Sequence, residues 1–164
     1  MRIIFSSCYD YIVTRSILTD NDYAKLLAFR TGLRKFLRWS EQSAEMLGIT
    51  AAQHQLLLAV RGHDNKAGPT ISELAGYLLS QHHSVSELVQ RAVESGLVRR
   101  YQEPTDRRIY RIRLTKKGED ALEKLSSMHL EELSRLASEM SSLWEGISFG
   151  STKRFESSSS THRS

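Results

Sequence analysis

The sequence predicts a mainly α fold of the α+β kind: a helix-turn-helix with a β-hairpin beside it, held between two long helices. Three observations carry this prediction. From Thr70 to Gly118 the residues run helix, turn, helix, strand, charged loop and strand. On either side, apolar residues recur at helical spacing over long stretches. The loop of the hairpin, Glu103-Pro104-Thr105-Asp106-Arg107-Arg108, combines turn-forming residues with paired cations.

Taken in order, the first long helix spans about Asp20 to Met46. Tyr23, Leu26, Leu27, Leu33, Phe36, Leu37, Ala44 and Leu47 trace its apolar stripe, and Gly48 ends it. A second helix follows from Thr50 to about Arg61, with Leu56, Leu57 and Val60 inward, and residues 62–68 form a loop. Gly68-Pro69 breaks the pattern, and Thr70 caps a short helix with Glu73 three residues on. Ile71, Leu74, Ala75 and Leu78 are its apolar face. Leu79-Ser80-Gln81-His82 then turns the chain, with Ser80 as the expected cap.

The next helix, 82–94, buries Val85, Leu88, Val89, Ala92 and Val93. Its opposite face carries His83, Ser84, Ser86, Glu87, Gln90, Arg91 and Glu94. Such side chains can read base edges and phosphates in a major groove about 12 Å wide. Gly96 stops this helix. Leu97–Tyr101 and Ile109–Leu114 read as two strands. Ile112 and Leu114 alternate with Arg111 and Arg113, which gives one buried and one solvated side. The hairpin is therefore the wing of a winged helix-turn-helix. Eight basic residues between Leu97 and Lys117 face only Glu103 and Asp106, a field that attracts polyphosphate and weakens with salt.

The last helix starts after Thr115. Leu122, Leu125, His129, Leu133, Leu136, Met140 and Leu143 step by threes and fours, a seam of the kind two helices share. Leu125, Leu133, Leu136 and Met140 are its candidate dimerisation residues. Its other faces are mostly acidic, so this end points away from an anionic partner. Residues 146–164, with the Ser157–Ser160 run, lack apolar periodicity and are expected to form a disordered tail. Residues 1–19 form an extension, either an extra element of the dimer base or loose chain.

These residues resemble the MarR family of bacterial transcription regulators. The likeness runs from about Asp20 to Trp144 and is densest in Asp106-x-Arg108-x-x-x-Ile112-x-Leu114-Thr115-x-x-Gly118. It also includes Glu73-Leu74-Ala75, Val85-Ser86-x-Leu88-Val89 and Gly96-Leu97-Val98-x-Arg100. One departure stands out. Where the family often has Gly and an apolar residue after the first reading helix, this chain has Leu79 and Ser80, then His82-His83.

The resemblance implies a homodimer whose base is built by 20–47 and 116–145, with 50–118 as the winged-helix DNA-binding part. It implies that helix 82–94 enters the major groove, through His82, His83, Ser84, Ser86, Glu87, Gln90 and Arg91. The wing arginines Arg107 and Arg108 would reach the minor groove or its phosphates. Asp106 would hold those arginines by ion pairing. The implied partner is double-stranded DNA carrying a near-palindromic operator. Repression relieved by a small aromatic or phenolic effector is the implied mode of control.

Other classes rest on fewer residues. Cys8 sits beside Tyr9 and Tyr11, and some relatives sense oxidants through one such cysteine. A reactive thiol needs a lowered pKa, however, and adjacent Asp10 would act the other way. His54, His63, His82 and His83 lack zinc-ligand spacing, so no metal or cofactor is expected. No phosphate-cradling glycine loop, HExxH or nucleophile elbow points to an enzyme. A winged helix that docks protein through its acidic last helix is the remaining alternative. The 164 residues carry +4 net charge, a single cysteine and no bilayer-length apolar run, which suits a cytoplasmic protein away from membranes.

Overall fold

A computed structural model describes residues 18–144, and seven elements follow one another in it: α1 (Asp20–Met46), α2 (Ala51–Arg61), α3 (Ile71–Tyr77), α4 (His82–Glu94), β1 (Val98–Gln102), β2 (Tyr110–Leu114) and α5 (Lys116–Trp144). The predicted tail, Cys8 and nearly all of the predicted extension lie outside the described residues. No helix among the described residues is long and apolar enough to cross a membrane.

Three helices start in the same way. Thr19, Thr50 and Thr70 each cap α1, α2 and α3 through the side chain. In each case the residue three positions on (Asp22, Gln53 or Glu73) returns a bond to the cap's backbone N–H. For Glu73 this bond from Thr70 holds the carboxyl below its ordinary value. The α4 helix differs: its cap is Gln81, which makes no side-chain capping bond. Ser80, the expected cap, instead donates its hydroxyl to the Leu78 carbonyl.

The core collects apolar side chains from most elements: Leu56, Leu57 and Val60 of α2, Leu74 of α3, Val85, Val89 and Ala92 of α4, then Leu97, Val98, Ile112, Leu122 and Leu125. The two strands pair antiparallel with Arg99 opposite Arg113 and Arg100 opposite Ile112. They begin one residue later than the sequence suggests. Leu97 is spent on the core and on the turn after α4, and the Ile109 N–H closes the wing turn onto Asp106. The loop before α3 extends the sheet, since the Ile112 N–H donates to the Pro69 carbonyl at 2.8 Å.

Two glycines make close approaches possible. A Cβ on Gly68 (φ 90°) would strike the Ile112 carbonyl, and one on Gly118 would strike the Leu97 carbonyl. Together they let the loop before α3 and the first turn of α5 lie directly on the hairpin.

Long α1 and α5 pack together, and their inner ends meet α2 at a ring cluster. The His129 ring lies 4.7 Å from His54, 5.0 Å from Trp39 and 5.8 Å from Phe36 between centroids. Its Nδ1 is 2.6 Å from the Leu125 carbonyl and its Nε2 is 2.6 Å from the Ser40 hydroxyl. A carbonyl only accepts, so Nδ1 is the donor; in the neutral ring Nε2 accepts from Ser40. Burial, and then the adjacent His129, push the His54 imidazole below its ordinary value.

Leu125, read from sequence as a dimerisation residue, is fully buried within this core. The helical seam on α5 is continuous in sequence, but its first half faces α1 and α2 of the same chain. Leu136 is half-buried against α1, and Leu133 stays exposed.

Candidate nucleic-acid interface

The α4 helix lies across the core with one wet face. His82, His83, Ser84, Glu87, Gln90 and Arg91 are exposed, and Ser86 is half-buried. Two of these side chains have partners on their own helix. Gln90 donates to Glu94 at 2.9 Å, and Arg91 lies 3.9 Å from Glu87 with both side chains largely solvated. Such exposed pairs hold weakly, so both can swing to another partner.

The turn before α4 explains its missing cap. Leu79 takes φ 48°, a left-handed conformation that costs a side-chain-bearing residue about 1–2 kcal/mol. The Ser80 N–H then reaches back to the Ala75 carbonyl at 3.1 Å. Leu79 is also 89% exposed. This is where the sequence departs from its look-alikes, and the strain is the consequence of putting leucine where glycine would be free.

The wing is braced to α4 by Arg100, whose guanidinium donates to the Ser86 carbonyl at 3.3 Å. Sequence reasoning missed this contact. A basic residue on the strand face that carries Val98 and Ile112 is the signal that could have found it, since that face looks toward α4 and the core.

Asp106 departs from expectation. It forms no ion pair with Arg107 or Arg108; its carboxylate accepts the Arg108 backbone N–H at 3.0 Å. It therefore shapes the loop as a local Asx turn, a bond available only to a short acceptor at that place. Gln102 adds a side-chain bond to the Arg107 carbonyl.

The eight cations of the hairpin region divide into two groups, and Arg100, bonded to the Ser86 carbonyl, belongs to the engaged one. Arg111 is turned inward to Glu103 and donates to the Gly68 carbonyl at 2.9 Å, with Glu73 at 3.9 Å. Glu103 thus holds its guanidinium in the charged form. Arg113 lies over the Tyr101 ring at 4.1 Å, Lys116 pairs with Asp120 at 2.8 Å, and Lys117 donates to the Ser95 carbonyl. Arg99, Arg107 and Arg108 are exposed, and among the described residues no carboxylate lies in ion-pairing range of any of them. The field at the wing tip is thus carried by Arg107 and Arg108, fewer residues than the sequence count suggested, while Arg99 sits opposite Arg113 at the other end of the hairpin.

The histidines do not gather. His54 is buried in the ring cluster, His63 sits beside Tyr77 at 3.1 Å, and His82 and His83 are exposed at the start of α4. Among the described residues no group of three His, Cys, Asp or Glu side chains is placed to hold a metal.

A helix pair, a braced hairpin beside it and a charged hairpin tip define a winged helix-turn-helix of the transcription-regulator class. The MarR family model matches residues 47–109. The chain is 31% identical over 119 residues to the uncharacterized HTH-type transcriptional regulator YhbI of Bacillus subtilis, spanning 63% of this chain and 75% of that protein. This chain belongs to the MarR family.

Solved structures agree. A Staphylococcus aureus MepR F27L mutant bound to an oligodeoxyribonucleotide is 28% identical, with TM-score 0.59 over 71% of this chain and 82% of that one. The S. aureus MepR–DNA complex is 26% identical, with TM-score 0.60 over 70% and 82%. AbsC of Streptomyces coelicolor, 20% identical with TM-score 0.62 over 80% and 92%, shares the fold.

Proposed function

We propose that this protein is a homodimeric regulator that binds a near-palindromic duplex operator. In this reading α4 lies in the major groove and the wing tip grips beside it. One observation carries the reading most. The exposed face of α4 and the unneutralised pair Arg107 and Arg108 belong to one winged unit, joined by packing and by the bond from Arg100 to Ser86. His82, His83, Ser84, Ser86, Glu87, Gln90 and Arg91 are the candidates for base and phosphate contact, and Asp106 shapes the wing. The DNA-bound relatives support it, since MepR is solved with an oligodeoxyribonucleotide.

Dimer formation is supported by α1, where Tyr23, Leu26, Leu27, Leu33 and Leu37 are all exposed, and by Leu130 and Leu133 on α5. Apolar surface concentrated on two helices is the mark of a covered face. Leu133 and Leu136 are the α5 candidates for it, and the Met140 side chain, expected there from the sequence, lies outside the described residues. Repression in the cytoplasm, released by a small aromatic or phenolic effector, completes the proposal. The cleft between α1 and α5, about 480 Å³ and lined by Leu27, Ala28, Phe36 and Leu136 with Lys35 and Arg135, is of a size that suits such a ligand.

Selection of bound duplexes from a random pool at near-physiological salt tests the core of this. The expected winner is a near-palindrome with half-sites about one helical turn apart. Recovery of no enriched sequence, with binding that is equal on all duplexes, would remove the sequence-specific reading.

A further inference from the structure

The hairpin has a second face, away from α4. There a cleft of about 350 Å³ opens between the end of α2, the loop of residues 62–68, the sheet and the first turns of α5. Arg61, His63, Lys66, Arg99 and Arg113 line it, and Glu119 is its one acidic lining residue. Strand register sets Arg99 directly opposite Arg113, so their side chains share this face. Like charges placed so repel one another. Arg113 is partly compensated by the Tyr101 ring and by its bond to the Ala67 carbonyl at 3.3 Å. Among the described residues, no carboxylate lies in ion-pairing range of Arg61, Lys66, Arg99 or Arg113. His63 also borders the cleft, with its Nδ1 3.1 Å from the Tyr77 hydroxyl. Its side chain is only 8% exposed, and its Nε2 has no hydrogen-bond partner among the described residues, the nearest carboxylate oxygen being that of Glu73 at 3.8 Å.

We propose that this cleft binds a phosphate-bearing anion. Four cations around one small polar cavity are repelled by each other and relieved by a divalent anion, and guanidinium forks match phosphate oxygens in geometry as well as charge. The volume suits a phosphate or a pyrophosphate. The site is separate from the wing tip. Arg108 lies in the wing turn, whereas Arg113 lies near the far end of β2, opposite Arg99. The phosphate has two possible sources, the backbone of a duplex flanking the bound site or a free small phosphate compound.

Pyrophosphate is the probe. Titrated into the full chain at low ionic strength, it should bind the unaltered protein by calorimetry and raise its Tm. Arg99→Gln and Lys66→Gln should each bind roughly tenfold more weakly, the loss expected for one charge-assisted donor. Glu119→Gln should bind more tightly. All three positions are exposed, and far-UV circular dichroism checks that each variant folds. Equal binding by all four proteins, or weaker binding by Glu119→Gln, would overturn the proposal.

A second arm compares a short duplex with one extended by flanking sequence. A gain from extension that Arg99→Gln abolishes and pyrophosphate competes away assigns the site to DNA backbone. Pyrophosphate binding with no such gain assigns it to a free compound, and neither result overturns the site. Arg108→Ala keeps this distinct from the DNA reading, because it should weaken duplex binding and leave pyrophosphate binding unchanged.

Discussion

The reading unit and the outer part of the flanking helices treat the same kind of residue in opposite ways. In α2, α3, α4 and the hairpin, Leu56, Leu57, Leu74, Val89 and Ile112 are enclosed completely. In α1 the buried residues are Ser40, Ser43 and Ala44, all near its inner end, whereas Leu27 is 69% exposed and Tyr23, Leu26, Leu33 and Leu37 are open beside it. The first region closes its own core; the second holds an apolar stripe in reserve. A helix of 27 residues with such a stripe is stable where something covers it. In the proposed homodimer, the contrast separates stability that belongs to one chain from stability that depends on assembly.

The largest expected effect probes that contrast directly. Leu74→Ala should cost about 2–5 kcal/mol in denaturant unfolding, at every protein concentration. Leu27→Ala should cost a single chain little, within about 0.5 kcal/mol, and should act on assembly instead. Light scattering would then show more monomer, and the unfolding midpoint would become more dependent on concentration. A large loss for Leu27→Ala that is independent of concentration would break the comparison.

A smaller effect sharpens it inside the reading unit. Leu79→Gly should stabilise the protein by up to about 1 kcal/mol. It relieves a left-handed residue, against the entropy that glycine adds to the unfolded chain. Destabilisation in the same unfolding experiment would mean that the exposed leucine has a partner worth more than its strain.

The smallest effect concerns pH, where the two regions join. His54 is held below its ordinary value, so the folded chain binds fewer protons there than the unfolded chain. Stability from this site is therefore fully present above about pH 6.5 and is lost progressively as pH falls from there through the lower value of the folded chain. Unfolding at about pH 7.5 and about pH 5.5 should show a drop that shrinks in His54→Gln. An equal drop in both proteins would place the titration elsewhere.

Much of the fold was legible because local rules suffice for it. The ends of the first long helix and of the reading helix follow from Gly48 and Gly96 with the apolar period, and the structure has the helices at Asp20–Met46 and His82–Glu94, although the cap expected at Ser80 is not used. Both strands begin one residue later than expected because pairing register, rather than composition, starts a strand. The fates of the cations were not legible. Arg111 meets Gly68, a partner 43 positions away, and Arg100 meets Ser86 across the helix-to-hairpin turn. Long side chains choose partners only after the chain is folded. Leu125 was misassigned for a related reason: a periodic stripe says that a helix face is covered, but not by which chain. Asp106 was placed correctly in the wing, yet a backbone N–H two residues on was a nearer donor than either guanidinium.

The central claim is that the wing tip and α4 act as one DNA-binding unit. The most direct test is an anisotropy titration of the selected duplex across a series of salt concentrations, for the unaltered protein and Arg108→Ala. Arg108→Ala should bind operator and unrelated duplexes alike more weakly, with the salt slope reduced by about 1. Unchanged affinity and an unchanged slope would contradict it.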